Sequence, residues 1–388
     1  MDKKYFLGII SAISPNLSIA IGRRHEQRGQ KDKRRQLIAS QYPLSKEQKE
    51  QIDDFFLSTY GEKIGYSWHQ NYAAHSGKFD YKFFPELLYI PEFETFQNHN
   101  SGVVAAFADK NLLPLAAAAA NVKMPRTIVS CANGVMRDGD NRLITPKMAK
   151  DLVMKQGCCF LKPTIDSCSG RGCLRIDHPK DLSITHNALK VSDINRVLYK
   201  NDFVIQECVT CHDSIRKLYA GSVNTFRVIS YLWKGQIELM PIIIRIGQGG
   251  HYLDNAHQGG MFCAVYDDGT MGHHSMTEFN TQFIEHPDTH VRFETHRIAN
   301  IDKLIAAAKR MHSVIPQIGV VNWDFTIDAE GEPVLIEANT KGGSIWLPQM
   351  AHGVGAFGEH TAEVLQWLRF MKKLSPDQRK QYSGGEMG

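Results

Sequence analysis

The stretch Val320–Pro348, VVNWDFTIDAEGEPVLIEANTKGGSIWLP, constrains this chain more than any other. Two β-like runs flank the turn sequence Ala329-Glu330-Gly331-Glu332, so the pair reads as a hairpin. Residues i and i+2 share a strand face, which puts Glu337 and Asn339 together, and the hairpin brings Asp324 across from them. The neighbours Val334, Leu335, Ile336 and Ala338 are apolar, which argues against a solvated surface. Two carboxylates buried side by side repel one another and lose their hydration unless a cation joins them. Two carboxylates and an amide oxygen make an all-oxygen donor set of the kind magnesium prefers, with room left for water and phosphate oxygens. The alternative is a solvated hairpin with ordinary edge carboxylates.

A chain of 388 residues is too long for one small domain and calls for two or three lobes. Its 43% hydrophobic content suits a packed protein. The net charge of +4 suits phosphate-bearing ligands, but the basic residues are scattered without interleaved aromatics, so nucleic acid is not expected as a partner. The eight cysteines show no zinc-ribbon or disulfide spacing, and Cys208 and Cys211 form a lone C-x-x-C, so unpaired thiols in a reducing cytoplasm are expected. Tyr5–Ile21 is apolar but is interrupted by Pro15 and Asn16, and the basic run Arg23, Arg24, Arg28, Lys31, Lys33, Arg34, Arg35 follows it. That order does not suit a signal peptide, and the stretch is short for a membrane span. It reads as a packing segment with a solvated basic linker, or as an interfacial helix making peripheral contact with anionic lipid.

Residues 45–63 read as a capped helix ending at Gly61, residues 66–98 as an irregular aromatic region, and the alanine-rich 101–122 as helical. From about 125, short β-like runs alternate with helical stretches near 145–156, 192–200, 301–315 and 359–373. Asn133-Gly134, Asp268-Gly269 and Glu330-Gly331 mark turns. The pattern is α+β, with mainly antiparallel strands split between lobes. The expected divisions are 1–98, 99–205, 206–372 and a loose tail over 373–388.

Asp324, Glu337 and Asn339, in the pattern D-x(12)-E-A-N, resemble the metal hairpin of ATP-grasp enzymes, especially the D-alanine–D-alanine ligases in the stretch EANT. The resemblance implies a fold of two α+β lobes gripping ATP. It also implies two Mg2+ ions, for which Mn2+ could substitute: Asp324 holds one, Glu337 bridges both, and Asn339 binds the second. It extends upstream in order. Asp109-Lys110 matches the DK that opens the nucleotide-binding domain, and Lys162-Pro163 matches its strand lysine. Ser167, Ser169, Gly170 and Gly172 follow as a small flexible loop able to bring backbone N–H groups to phosphate oxygens. Phe203–Val209 resembles the hinge that meets the adenine edge, with Gln206, Glu207 and Val209 as contacts, and Asp213 falls where the family places its ribose acid. Arg227 and Arg245 sit in β-like runs, where a buried arginine needs an anion. The resemblance gives them, with Asn339, to phosphate or acyl phosphate; a structural ion pair is the alternative. The glycine-rich stretch 247–262 reads as a closing loop, with Asp254, Asn255 and His257 as candidate contacts.

Where D-alanine ligases carry an arginine two residues before the metal aspartate, this chain has Asn322, and their loop lysine has no counterpart in DNAHQGG. The fuller match is to the sugar-transfer-associated ATP-grasp group, through ADKNL, MPRTIVSCANGVMRD, NTFRVISY and EANTKGG. That resemblance implies a cytoplasmic carboxylate–amine ligase of surface-polysaccharide or related biosynthesis, acting on a small carboxylate and an amine through an acyl phosphate. A kinase on the same fold and a nucleotide-binding protein without turnover are the competing readings.

Overall fold

The computed structural model describes residues 15–165, 173–177, 202–252, 254 and 259–387. A five-stranded antiparallel sheet is built from β1 (Thr127–Ala132), β2 (Val135–Asp138), β3 (Cys158–Pro163), β4 (Leu174–Asp177) and β5 (Phe203–Glu207), in the order β2-β1-β5-β3-β4. Asn133 and Gly134 both have positive φ, 52° and 76°, the combination a tight two-residue turn between right-twisted strands requires. The helix Pro146–Met154 covers this sheet, burying Ala149 and Val153.

The larger sheet contains β6 (Thr225–Trp233), β7 (Gln236–Leu239), β8 (Ile242–Ile246), β9 (Met261–Val265), β10 (Ser275–Met276), β11 (Gln282–Phe283), β12 (Val320–Ile327) and β13 (Pro333–Asn339). Its order is β11-β10-β9-β8-β6-β12-β13, with β7 paired to β6. Every residue of the central β12 is buried. Its alternation divides labour: Val321, Trp323, Phe325 and Ile327 pack in the core shared with the helix Ile301–Ser313, while Asn322, Asp324 and Thr326 take the opposite face. A polar chain stitches that core. The Trp323 indole N–H donates to Ser230 Oγ at 2.7 Å, Ser230 Oγ meets His312 Nδ1 at 2.7 Å, and His312 Nε2 donates to the Ile318 carbonyl at 2.8 Å. Burial pushes the His312 imidazole down to about 4, keeping it neutral.

Several expected elements differ in detail. The aromatic region forms a helix, Ser67–Ser76, and a continuous run of helical turns over 86–97 with a π segment at Tyr89–Glu94. Its Phe84, Tyr89 and Phe93 rings pack with Phe357 and Trp367 against the large sheet. The alanine-rich stretch is two short helices, Ser101–Phe107 and Leu113–Ala119. The break arises because Asp109 Oδ1 accepts the Asn111 N–H at 2.9 Å and Pro114 starts a new helix, and Lys110 sits in that break. Ala116, Ala117 and Ala120 are buried, so the alanine run is a tight contact. The basic segment is helical rather than a linker, Pro15–Gly29 and then Lys33–Ser40. The tail expected to be loose is packed: a capping box starts a helix at Pro376–Arg379, Trp367 Nε1 donates to the Tyr382 carbonyl at 2.9 Å, and Lys234 N–H donates to Gly384. The helix expected near 192–200 lies outside the described residues. Among the described residues, no helix is long and apolar enough to cross a membrane.

The expectation of unpaired cysteines also fails. Cys158, the first residue of β3, and Cys208, just after β5, form a disulfide that closes a 50-residue separation. The C-x-x-C spacing was uninformative because Cys208 pairs with the neighbouring strand, not with Cys211. Cys131, Cys211 and Cys263 are free thiols. Closing a loop of this length stabilises by roughly 2–4 kcal/mol. Reduction is therefore expected to lower the urea-unfolding free energy by about that amount. The Cys158→Ser/Cys208→Ser variant should start from the lower value and show no further response to reductant.

Candidate functional site

A cavity of about 590 Å³ opens between the two sheets. Its wall is the Asp324 neighbourhood, and strand register assembles it. Asp324 pairs with Glu337 across β12–β13 and with Arg227 across β12–β6, and Thr225 pairs with Arg245 across β6–β8. Four elements thus deliver their charges to one spot.

Arg227 donates to Asp324 through Nε at 2.7 Å and Nη2 at 3.4 Å, and Arg245 Nη2 reaches Asp324 Oδ2 at 3.1 Å. Burial alone would lift the Asp324 carboxyl, but the two guanidiniums overcome it and hold it below the usual carboxylate range. Arg245 also donates twice to Thr225 Oγ1, at 3.1 and 2.6 Å. Thr225 in turn donates its N–H to Asp254 Oδ2 at 2.8 Å and its hydroxyl to the same oxygen. Burial pushes Asp254 up and the nearby Arg245 draws it back. Across the hairpin, Lys110 Nζ lies 2.9 Å from Glu337 Oε1. Asn339 Nδ2 lies 3.4 Å from Asp324 Oδ2, so Asp324, Glu337 and Asn339 converge as the pattern required. Among the described residues there is no group of three or more His, Cys, Asp or Glu that could hold a metal ion.

Lys162 donates to Gln206 Oε1 at 3.2 Å, and Gln206 Nε2 donates to the Pro125 carbonyl at 3.4 Å. Burial lowers the Lys162 ammonium, while Glu337 opposes that drop. Glu207, Cys208 and Val209 line the far end of the cavity, beside the disulfide. The Glu207 carboxylate is committed to Arg126, accepting from its N–H at 3.1 Å and its Nε at 3.2 Å. Asp213 is not among the lining residues: its carboxylate is largely exposed and lies 3.6 Å from Arg216, which does line the cavity. Ser167, Ser169, Gly170, Gly172, Asn255 and His257 lie outside the described residues.

The sequence reading missed how the loop after β13 is held. Glu94 accepts the N–H groups of Gly342 and Gly343 at 2.7 and 3.0 Å, and Glu86 accepts those of Ile345 and Trp346 at 2.7 and 2.9 Å. Both carboxyls are buried, and Gly342, Gly343 and Trp346 line the cavity. The loop also passes so close to Asn322 that a Cβ on Gly343 would collide with its amide. A larger arginine at 322 would not fit this loop path. The available signal was Glu86, Glu92 and Glu94 within the otherwise apolar FPELLYIPEFETF.

Burial raises Glu86 to about 8 and Glu94 to about 7, against backbone hydrogen bonds that pull both down. A carboxyl raised on folding contributes stability that is fully present below its unfolded range and is lost as pH rises through its folded value. Unfolding free energy should therefore fall between pH 5 and 8 more steeply in the wild type than in Glu86→Gln/Glu94→Gln, where neither group titrates. Parallel slopes in urea unfolding would contradict this.

Residues 91–364 match the family described as sugar-transfer associated ATP-grasp. Comparison with curated proteins finds no match. Among solved structures, the chain is similar to an ADP complex of N5-carboxyaminoimidazole ribonucleotide synthetase, at 12% identity and TM-score 0.37, covering 62% of this chain and 46% of that one. It is also similar to an L-amino acid ligase from Bacillus licheniformis, at 12% identity and TM-score 0.38, covering 74% and 52%. A third is the ATP-grasp ligase PsnB complexed with minimal precursor, Mg and ADP, at 13% identity and TM-score 0.40, covering 70% and 60%. The chain thus spans between 46% and 60% of the length of these three structures. The family match covers well over half of the chain, so this protein belongs to the sugar-transfer associated ATP-grasp family and has an α+β ATP-grasp fold with a helical N-terminal region.

Proposed function

We propose that this protein is an ATP-dependent ligase that joins a carboxylate to an amine, with ADP and phosphate as products. The observation that carries this reading is the convergence of Asp324, Glu337 and Asn339 with Arg227, Arg245, Lys110 and Lys162 on one cavity. Four cations there face the carboxylates of Asp324, Glu337 and Asp254, an arrangement suited to a polyphosphate and a second anion.

The donor set fits divalent cations: the three side chains are oxygen donors on one hairpin. Mg2+, or Mn2+ in its place, held by Asp324, Glu337 and Asn339 would supply neutralisation of phosphate charge. The chain's own residues do the rest. Backbone groups of Glu207 to Val209 meet the adenine edge, with Gln206 behind them. Lys110 and Lys162 hold the phosphates. Ser167, Ser169, Gly170, Gly172 and Asn255 complete the phosphate cover by family pattern, and Asp213 or Arg216 meets the ribose. Arg227 and Arg245 exchange their hold on Asp324 for the transferring phosphoryl group and the substrate carboxylate. A carboxylate oxygen attacks the γ-phosphorus and the bond to the β-phosphate oxygen breaks, giving acyl phosphate and ADP. The amine then attacks the acyl carbon, phosphate leaves with the bonding electron pair, and the amine loses a proton. The protein acts by positioning and charge compensation, without a covalent nucleophile. We take the acid or amine to be sugar-linked, a reading that the family's description as sugar-transfer associated supports, and assign the reaction to surface-polysaccharide assembly in the cytoplasm.

ADP release measured over a panel of carboxylates, with and without amines, tests this reading. Hydroxylamine should trap a hydroxamate, and Glu337→Ala should cut metal-dependent turnover by roughly 100-fold or more without unfolding the protein. A stable phosphoester in place of hydroxamate would establish a kinase, and wild-type turnover in Glu337→Ala would remove the metal assignment.

A further inference from the structure

A second cavity, of about 710 Å³, lies in the N-terminal region and belongs to no part of the ligase site. The helices Pro15–Gly29, Lys33–Ser40 and Ser67–Ser76 all contribute to its walls. Arg24, Arg28 and Lys31 converge on it, and no carboxylate among the described residues lines it. Carboxamides surround these cations, among them Gln27, Gln36 and Gln70.

The other arginines of this segment are committed. Arg23 pairs with Glu92 at 2.7 Å and Glu62 at 3.1 Å, Arg34 with Asp32 at 3.5 Å, and Arg35 with Glu278 at 3.5 Å. Glu26, the acid on the same helix as Arg24 and Arg28, lies 3.2 Å from His25. By contrast Arg24, Arg28 and Lys31 have no ion pair or side-chain hydrogen bond among the described residues. All three are exposed, so water and salt screen much of their mutual repulsion, and an anion in the hollow would relieve the remainder. The wall also includes Ser67 and Trp68 at the start of the helix Ser67–Ser76.

We propose that this cavity binds a phosphate-bearing, hydroxylated ligand, with Arg24, Arg28 and Lys31 taking the phosphate and the carboxamides taking the hydroxyls. Arginine forks match phosphate oxygens, and amide side chains both donate and accept, as hydroxyl groups require. A volume of this size holds a phosphorylated polyol. A soluble phosphate ester and a lipid headgroup share this chemistry. Leu17 and Leu37, 49% and 66% exposed on the same helices, would meet the bilayer in the lipid case.

The test is calorimetric titration of the full chain with inorganic phosphate and glycerol 3-phosphate in the presence of saturating ADP, together with sedimentation on phosphatidylcholine vesicles with and without phosphatidylglycerol. Binding below about 1 mM is expected from one source. It should weaken at least tenfold in Arg24→Ala/Arg28→Ala/Lys31→Ala and not in the charge-matched control Lys147→Ala/Lys155→Ala/Lys309→Ala. Glycerol phosphate binding would assign a soluble ligand, and phosphatidylglycerol-dependent sedimentation would assign a headgroup. Absence of both, or equal loss in the control variant, would overturn the proposal. Binding seen only without ADP would belong to the ligase cavity and would overturn it too.

Discussion

The structure depends on keeping Asp324 ionised inside a sheet. It sits on a strand with no exposed residue, so its charge survives only because Arg227 arrives from the adjacent β6 and Arg245 from β8, one strand further out. Removing either partner from such a buried cluster typically costs several kcal/mol, because a charge is left uncompensated. An arrangement this costly contributes little to stability compared with apolar packing. In the proposed reaction, the arginines and Lys110 release their carboxylates when other charged groups arrive.

The two lobes serve that cluster differently. The small sheet supplies Lys162 and the segment Glu207 to Val209, and the disulfide ties that segment to β3. The large sheet supplies the carboxylates. The N-terminal helical region backs a loop of that cavity, because Glu86 and Glu94 occupy four backbone N–H groups of the segment 342–346. With those donors turned away, the loop offers the cavity its side chains, including Lys341, Ser344 and Trp346.

Much of the candidate site was legible because burial of like charges on a hairpin has few physical solutions. Asp324, Glu337 and Asn339 could be placed by period-two alternation and a Gly331 turn, and the helices 46–59 and 301–313 fall within stretches read as helical, the first from its cap. What was not legible depended on partners distant in sequence. Cys158 meets Cys208 only because β3 and β5 are neighbours, and Glu94 meets Gly342 only after the aromatic region packs on the large sheet. Asp213 was placed by counting along a loop, and loop length does not fix direction. The tail read as loose and the basic segment as a solvated linker or an interfacial helix, yet Arg379 bonds Asn16 at 2.9 Å and Arg23 bonds Glu92, so both close onto the body.

The most direct measurement of the central claim is Mn2+ binding to the full-length protein, followed by electron paramagnetic resonance with and without ADP. Wild type should bind Mn2+ tightly only with ADP present, and Asp324→Ala and Glu337→Ala should lose that binding while still taking up ADP. Undiminished Mn2+ binding in both variants would contradict a metal role for the hairpin.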